Sequence, residues 1–259
     1  MVYFFMDLDE LVVIMATLRS EKGCPWDREQ TRESLKPFLI EETYEVLEAI
    51  DDGDPDKIRE ELGDLLFQII FHAQIGKERN EFDIHGVIHG ISEKMRARHP
   101  HVFGEEQYDT AGEVLERWEE HKKKEGKLRE SVLDGVPKEL PSLLRAHRVQ
   151  DRASRVGFDW DKVEDVFEKV EEEIKEFRTA LREKDRREIE NEMGDIFFAL
   201  VNISRFIGIN PEDALRKTIS KFIKRFRHIE ITAAENGKTL SDMTLDEMDE
   251  LWESAKKNE

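Results

Sequence analysis

Residues 39–50 read LIEETYEVLEAI, and residues 60–67 read EELGDLLF. Both stretches carry apolar side chains at helical spacing, and both set acids beside that stripe: Glu41, Glu42 and Glu45 in the first, Glu61 and Asp64 in the second. Residues three or four apart share a helix face, so Glu42 projects with Glu45 and Glu61 with Asp64. The connection DDGDPD at 51–56 is short enough to turn the second helix back against the first, which would bring the four carboxylates together. Four anions at a core edge repel one another and lose hydration. A hard divalent cation resolves both, and carboxylate oxygens suit Mg²⁺ or Mn²⁺. The plainer alternative is a solvated helix face, the usual fate of a Glu-x-x-Glu pair in an acidic chain. Against it, Glu61 and Asp64 run straight into LLFQIIFHAQI at 65–75. A di-iron bundle would want Glu-x-x-His, and no histidine here has glutamate three residues before it.

The arrangement occurs twice. VEEEIKEF at 170–177 and NEMGDIFF at 191–198 place Glu173, Glu176, Glu192 and Asp195 at an offset of 131 from Glu42, Glu45, Glu61 and Asp64. CPWD at 24–27 matches FDWD at 158–161 at an offset of 134, and Lys94 and Arg98 match Lys221 and Arg225 at 127. EVLERWEEHKKKE at 113–125 resembles DEMDELWESAKKNE at 246–259 and pairs Trp118 with Trp252. The order is kept and the offset changes only between elements, as expected of a duplicated domain with loops of different length. KLRESVLDGVPKEL at 127–140 carries Gly135 and Pro137 without a sustained period. It divides the chain into an N-terminal domain 1–126, a linker 127–140 and a C-terminal domain 141–259. Helical spacing marks 8–20, 38–50, 56–78, 83–98 and 110–124, then 142–155, 161–183, 185–207, 211–235 and 244–257. Strand-like alternation is nearly absent, so the expected class is all-α. The helix at 56–78 is apolar almost all round beyond Asp64 and is expected to be the most buried.

Of 259 residues, 38% are apolar, enough for a core, and 39% are charged, with a formal net charge of −19. That balance argues against a nucleic-acid surface, which needs clustered Lys and Arg. No apolar run approaches the roughly 20 residues of a membrane span. The start, MVYFFMDLDELVVIM, has early acids and no basic segment, so it reads as a poor signal peptide. The single cysteine, Cys24, excludes an internal disulfide and fits a reducing cytoplasm. There is no Walker loop and no G-x-S-x-G.

Lys94 and Arg98 form a basic pair at i, i+4, and so do Lys221 and Arg225. Like charges on one face are mildly unfavourable alone and make sense around an anion, where arginine forks onto phosphate oxygens. A surface pair matched by nearby acids is the alternative. Lys122 and Lys256 each follow a paired tryptophan by four residues and offer a second phosphate contact. Trp118 and Trp252 sit in polar C-terminal helices, where they either plug the core or stack on a base. Trp26 and Trp160 follow GCP and GFD turns and read as structural.

EETYE at 41–45 followed by ELGD at 61–64 resembles the EExxE…ExxD signature of the MazG nucleoside triphosphate pyrophosphohydrolases, and EEIKE at 172–176 with EMGD at 192–195 repeats it. GCPWDREQT at 23–31, RHPHVFG at 98–104 and VGFDW at 156–160 are similar to the two-domain members. The resemblance spans essentially the whole chain. It implies tandem helical domains of the all-α NTP pyrophosphatase type with four-helix-bundle cores, usually in homodimers. It implies Mg²⁺-dependent hydrolysis of NTP and dNTP, over a broad base range, to the monophosphate and pyrophosphate. By the resemblance, Glu42, Glu45, Glu61 and Asp64, then Glu173, Glu176, Glu192 and Asp195, are metal ligands. Phosphate contacts fall to Lys94 and Arg98, then to Lys169, Lys221 and Arg225, and the base lies against Trp118 or Trp252. Asn191 is a further nucleotide contact whose first-half counterpart is Glu60, so the two sites need not be equivalent. Glu41 and Glu172 are the candidates to orient or deprotonate the attacking water. With no P-loop around the β- and γ-phosphates, water is expected at the α-phosphorus. The rivals are a pyrophosphatase specific for one nucleotide, such as dUTP, and a non-enzymatic acidic scaffold that binds a partner protein.

Overall fold

The structure is a computed structural model describing residues 8–106, 110, 113–114 and 131–257. It divides into two compact units, Met1–Lys127 and Leu128–Glu259. The described residues form helices and no strand. The helix expected at 110–124, with Trp118 and Lys122, lies outside the described residues except at 110, 113 and 114.

The first unit contains α1 (Leu8–Leu18), α2 (Pro25–Glu29), α3 (Lys36–Asp52), α4 (Pro55–Glu78), α5 (Ile84–Arg98) and the short α6 (Pro100–Phe103). Met15, Leu35, Ile70, Phe71, Ala73, Ile75 and Ile84 make one buried cluster, against which Leu8, Leu11, Val12, Phe38 and Phe67 pack. α1, α3 and α5 thus all rest on α4. As expected, α4 carries more buried residues than any other described helix: Gln68, Ile70, Phe71, Ala73, Ile75 and Gly76. Leu62, Leu66 and Ile69 remain 49%, 38% and 41% exposed, because no element of this unit among the described residues covers that side. Trp26 meets Phe38 edge-on at 5.7 Å, a packing contact, and both it and Trp160 are about half exposed.

The reversal between α3 and α4 follows from three consecutive residues. Gly53 ends α3 with φ +69°, a conformation open to glycine without strain, and its N–H reaches the carbonyls of Ala49 and Ile50. Asp54 caps α4 by accepting from the Asp56 N–H, and Pro55 opens the first turn.

Arg19 holds the α1–α2 loop to α4. Its guanidinium donates to both carboxylate oxygens of Glu78, at 2.9 and 2.7 Å, and to the carbonyls of Asp27 and Gln30. It also lies 5.3 Å from the Phe71 ring centroid, and its side chain is 7% exposed. Arg19→Ala strips partners from two carbonyls and a carboxylate at once, and an expected loss of about 2–4 kcal/mol follows. Chemical denaturation of the variant against wild type measures it.

The second unit contains α7 (Ser142–Ser154), α8 (Val163–Glu183), α9 (Arg186–Phe206), α10 (Pro211–Glu235), a 3₁₀ turn at Leu240–Asp242 and α11 (Leu245–Lys257). α8 lies along α9, α7 packs on α9 and α10, and α11 packs on α10. The α3–α4 turn recurs 131 residues later. Lys184 takes the left-handed position at φ +59°, and Asp185 caps α9 by accepting from the Arg187 and Glu188 N–H groups. Arg205 forks onto Asp159, and Gln150 donates to the Phe198 carbonyl at 2.8 Å. Arg152 of α7 donates to the carbonyls of Asp134 and Gly135, so part of the 127–140 segment is tied into this unit.

Candidate functional site

The antiparallel α3–α4 pair brings one oxygen each of Glu42, Glu45 and Glu61 within 4.8 Å of one another. The α8–α9 pair does the same for Glu173, Glu176 and Glu192. Asp64 and Asp195, exposed on their helices, stay outside these triads. They remain near enough for their charge to act: Asp64 raises the Glu42 pKa and Asp195 that of Glu192.

Glu42 titrates above the ordinary carboxylate range, first through burial and then through the charges of Asp64, Glu45 and Glu61, while a hydrogen bond from Gln68 opposes the rise. Glu61 is raised by loss of hydration, then by Glu45 and Glu60. Glu192 is raised by loss of hydration, then by Glu176 and Glu173. The Oε2 atom of Glu192 is buried with no hydrogen-bond partner. Converging oxygens, mutual repulsion and an orphaned buried carboxylate oxygen are the donor set that a hard divalent cation satisfies.

The two sites differ beside the triads. Lys169 sits one turn before Glu173 and pairs with it at 2.8 Å and with Glu172 at 3.2 Å. Hydrogen bonding to Glu173 holds the Lys169 ammonium above its ordinary pKa. Glu173 is itself 6% exposed, so the pair neutralises a buried acid. The residue at that register in the first unit is Phe38. There the side chain that opposes the rise in the Glu42 pKa is Gln68, which is 8% exposed and whose Oε1 has no hydrogen-bond partner. Its counterpart in the second unit is Ala199. The sequence signal for Gln68 is a polar residue inside LLFQIIFHAQI, one helical turn beyond Asp64.

Glu41 and Glu172 lie exposed beside their triads. Lys94 and Arg98 lie on α5, Lys221 and Arg225 on α10, and Asn191 is exposed on α9 next to Glu192. Trp252 of α11 is half-buried. Phe222 lies 5.1 Å from its ring, and the Arg225 guanidinium lies 5.4 Å from the centroid. Part of the indole is therefore committed to α10.

A family model described as the MazG nucleotide pyrophosphohydrolase domain matches residues 30–103 and again residues 162–230, the segments that hold the two triads. The nucleoside triphosphate pyrophosphohydrolase/pyrophosphatase MazG of Thermotoga maritima is 49% identical over 249 residues, covering 96% of this chain and 95% of its own. The nucleoside triphosphate pyrophosphohydrolase of Escherichia coli K12 is 44% identical over 257 residues, covering 97% of this chain and 98% of its own. Among solved structures, a mazG-related protein from Thermotoga maritima, 31% identical, covers 45% of this chain and 99% of its own at a TM-score of 0.39. With the domain matched twice and relatives aligned nearly end to end, the chain belongs to the MazG nucleotide pyrophosphohydrolase family.

Proposed function

We propose that this chain hydrolyses nucleoside triphosphates, ribo and deoxy and over a broad base range, to the monophosphate and pyrophosphate, with Mg²⁺ or Mn²⁺ as cofactor. The observation that carries the reading is the convergence of three glutamates from two helices, made twice, with a buried Glu192 oxygen left unpaired. The names of the aligned relatives point the same way. Glu42, Glu45 and Glu61 with Asp64, and Glu173, Glu176 and Glu192 with Asp195, would hold the cation. A bound divalent cation supplies Lewis acidity and neutralises phosphate charge. Lys94 and Arg98, and Lys169, Lys221 and Arg225, take the phosphate oxygens, and the arginines do so as forks. Glu41 and Glu172 orient the attacking water and accept its proton. Asn191 contacts the nucleotide, and a base stacks on the open side of Trp252. The uncovered apolar side of α4, with Leu62, Leu66 and Ile69, supports a homodimer.

Attack is assigned to the α-phosphorus, because the sequence carries no P-loop to hold the β- and γ-phosphates, and in this scheme the cationic pairs receive the departing pyrophosphate. Hydrolysis of ATP in ¹⁸O water tests this by mass spectrometry. Label is expected in AMP. Label in pyrophosphate means attack at the β-phosphorus, and ADP with phosphate as products removes the chain from this reaction class.

Trp252→Ala is expected to raise KM about tenfold for purine and pyrimidine substrates alike, since stacking uses the face that every base has. A melting temperature that falls while KM stays put would assign the indole wholly to its packing on Phe222 and Arg225.

A further inference from the structure

Gln68 belongs to neither the signature motif nor the cationic pairs, yet it is the polar side chain among the buried residues of α4. Glu61, Asp64 and Gln68 follow one another at three and four residues, so all three lie on one stripe of the helix. The side chain is 8% exposed. A glutamine amide has a donor end and an acceptor end, and burial makes an unmet end costly. The side chain lies near enough to Glu42 to oppose the rise in that carboxylate's pKa. The acceptor end, Oε1, is buried and has no hydrogen-bond partner.

We propose that Gln68 is a positioning residue for the divalent cation of the first unit. Its amide N–H fixes the rotamer of Glu42, and its carbonyl accepts a hydrogen bond from a water in the hydration shell of the cation. Mg²⁺ and Mn²⁺ keep several waters when carboxylates bind them, so an acceptor just beyond the ligands has something to hold. Partners of this kind orient ligands without touching the metal. In the second unit that register is Ala199, and the corresponding glutamate is held by a cation, Lys169. One site therefore clamps its first glutamate with a neutral amide and keeps its full negative charge. The other clamps it with an ammonium that cancels one charge. The amide-clamped site is the one suited to hold a cation before nucleotide arrives.

This inference rests on the metal reading above, and the experiment separates the two. The full chain is first silenced in its second unit by Glu173→Gln with Glu192→Gln, and Mn²⁺ binding is measured by calorimetry and by the EPR signal of free Mn²⁺. Gln68→Met is then added, which keeps volume and removes both polar ends. The expected result is a Kd for Mn²⁺ weakened by about 10–100-fold with the melting temperature of the cation-free protein unchanged or raised. Gln68→Glu, which keeps an oxygen but loses the donor and adds repulsion toward Glu42, is expected not to restore tight binding at neutral pH. If the silenced chain with Gln68 intact binds no Mn²⁺, the metal reading of the first unit fails and this inference with it. If it binds Mn²⁺ and Gln68→Met binds equally well, the metal reading stands and the role of Gln68 is overturned. Restoration of wild-type affinity by Gln68→Glu would make the residue a direct ligand and would likewise overturn the positioning role.

Discussion

Glu61→Gln combined with Glu192→Gln is expected to abolish nucleoside triphosphate turnover and, without divalent cation, to raise the melting temperature. Both effects have one cause. Each carboxylate sits among others and loses hydration there, and each folded-state pKa is raised above 4.5. A raised folded-state value means that the proton favours the fold. That stabilisation is complete below the unfolded-state pKa and is lost as pH rises through the folded-state values. The cation-free wild type should therefore soften as pH climbs from about 4.5, and the double variant should show a flatter profile. At neutral pH glutamine keeps the shape and removes the repulsion, so stability rises. Under the proposed metal reading the same substitution removes a ligand from each cluster, and each single variant should lose about a hundredfold or more in rate at its own site. A stabilised, dead protein marks a site whose strain is kept for function. Scanning calorimetry with EDTA and turnover with Mg²⁺ read the two halves of the prediction. Wild-type turnover in the double variant would sink the metal reading outright, and a single variant already dead would show that one unit carries the reaction.

The helices and their pairing were legible because they depend on local rules. Gly53, Asp54 and Pro55 announce a stop, a cap and a start, and the antiparallel α3–α4 pair follows from them. The same turn in the second unit was harder to read, since Lys184 occupies the left-handed position that glycine usually marks. The triads were legible through i, i+3 spacing and the repeat. Asp64 and Asp195 are not among the oxygens that lie within 4.8 Å of one another, yet their charges act on Glu42 and Glu192, as their place on the same helix faces suggests. The burial of α4 was legible too, but Leu62, Leu66 and Ile69 show the limit of the pattern: periodicity registers that a side chain is apolar, not whether anything in the same unit covers it. Arg19 was invisible, since three of its partners lie in loops or on another helix and two are backbone carbonyls, which carry no residue identity. Lys169 was legible in principle. Lysine four residues before glutamate on one helix is an ordinary ion-pair spacing, and only the burial of Glu173 makes this pair different from its many neighbours.

Lys169→Met is expected to lower kcat/KM by about tenfold to a hundredfold, the worth of a charged hydrogen bond to phosphate, with a much smaller effect on the melting temperature. A lysine–glutamate pair at i, i+4 with a partly exposed ammonium is worth little to stability, about 0–1 kcal/mol. Lys169 is 36% exposed in its side chain, so water takes over part of its role when it is lost, although the buried Glu173 makes the loss costlier than that of a fully exposed pair. Its position says more than its energy. The Nζ atom bridges Glu173 and Glu172, one acid from the triad and one beside it, and so stands at the rim where a phosphate would enter. A divalent cation competes for the same carboxylate oxygens, and an ammonium displaced from them is left within reach of the phosphate chain. Methionine retains the stem and its packing but brings no charge. Phe38 holds this register in the first unit, packed against the core and Trp26, and offers no cation in any rotamer. The turnover that survives in Lys169→Met therefore contains whatever the first unit contributes, and adding Asp64→Ala removes that share. If Lys169→Met instead loses melting temperature and keeps kcat/KM, the lysine is only the counter-charge of a buried glutamate, and the two sites differ in stability rather than in how they take hold of phosphate.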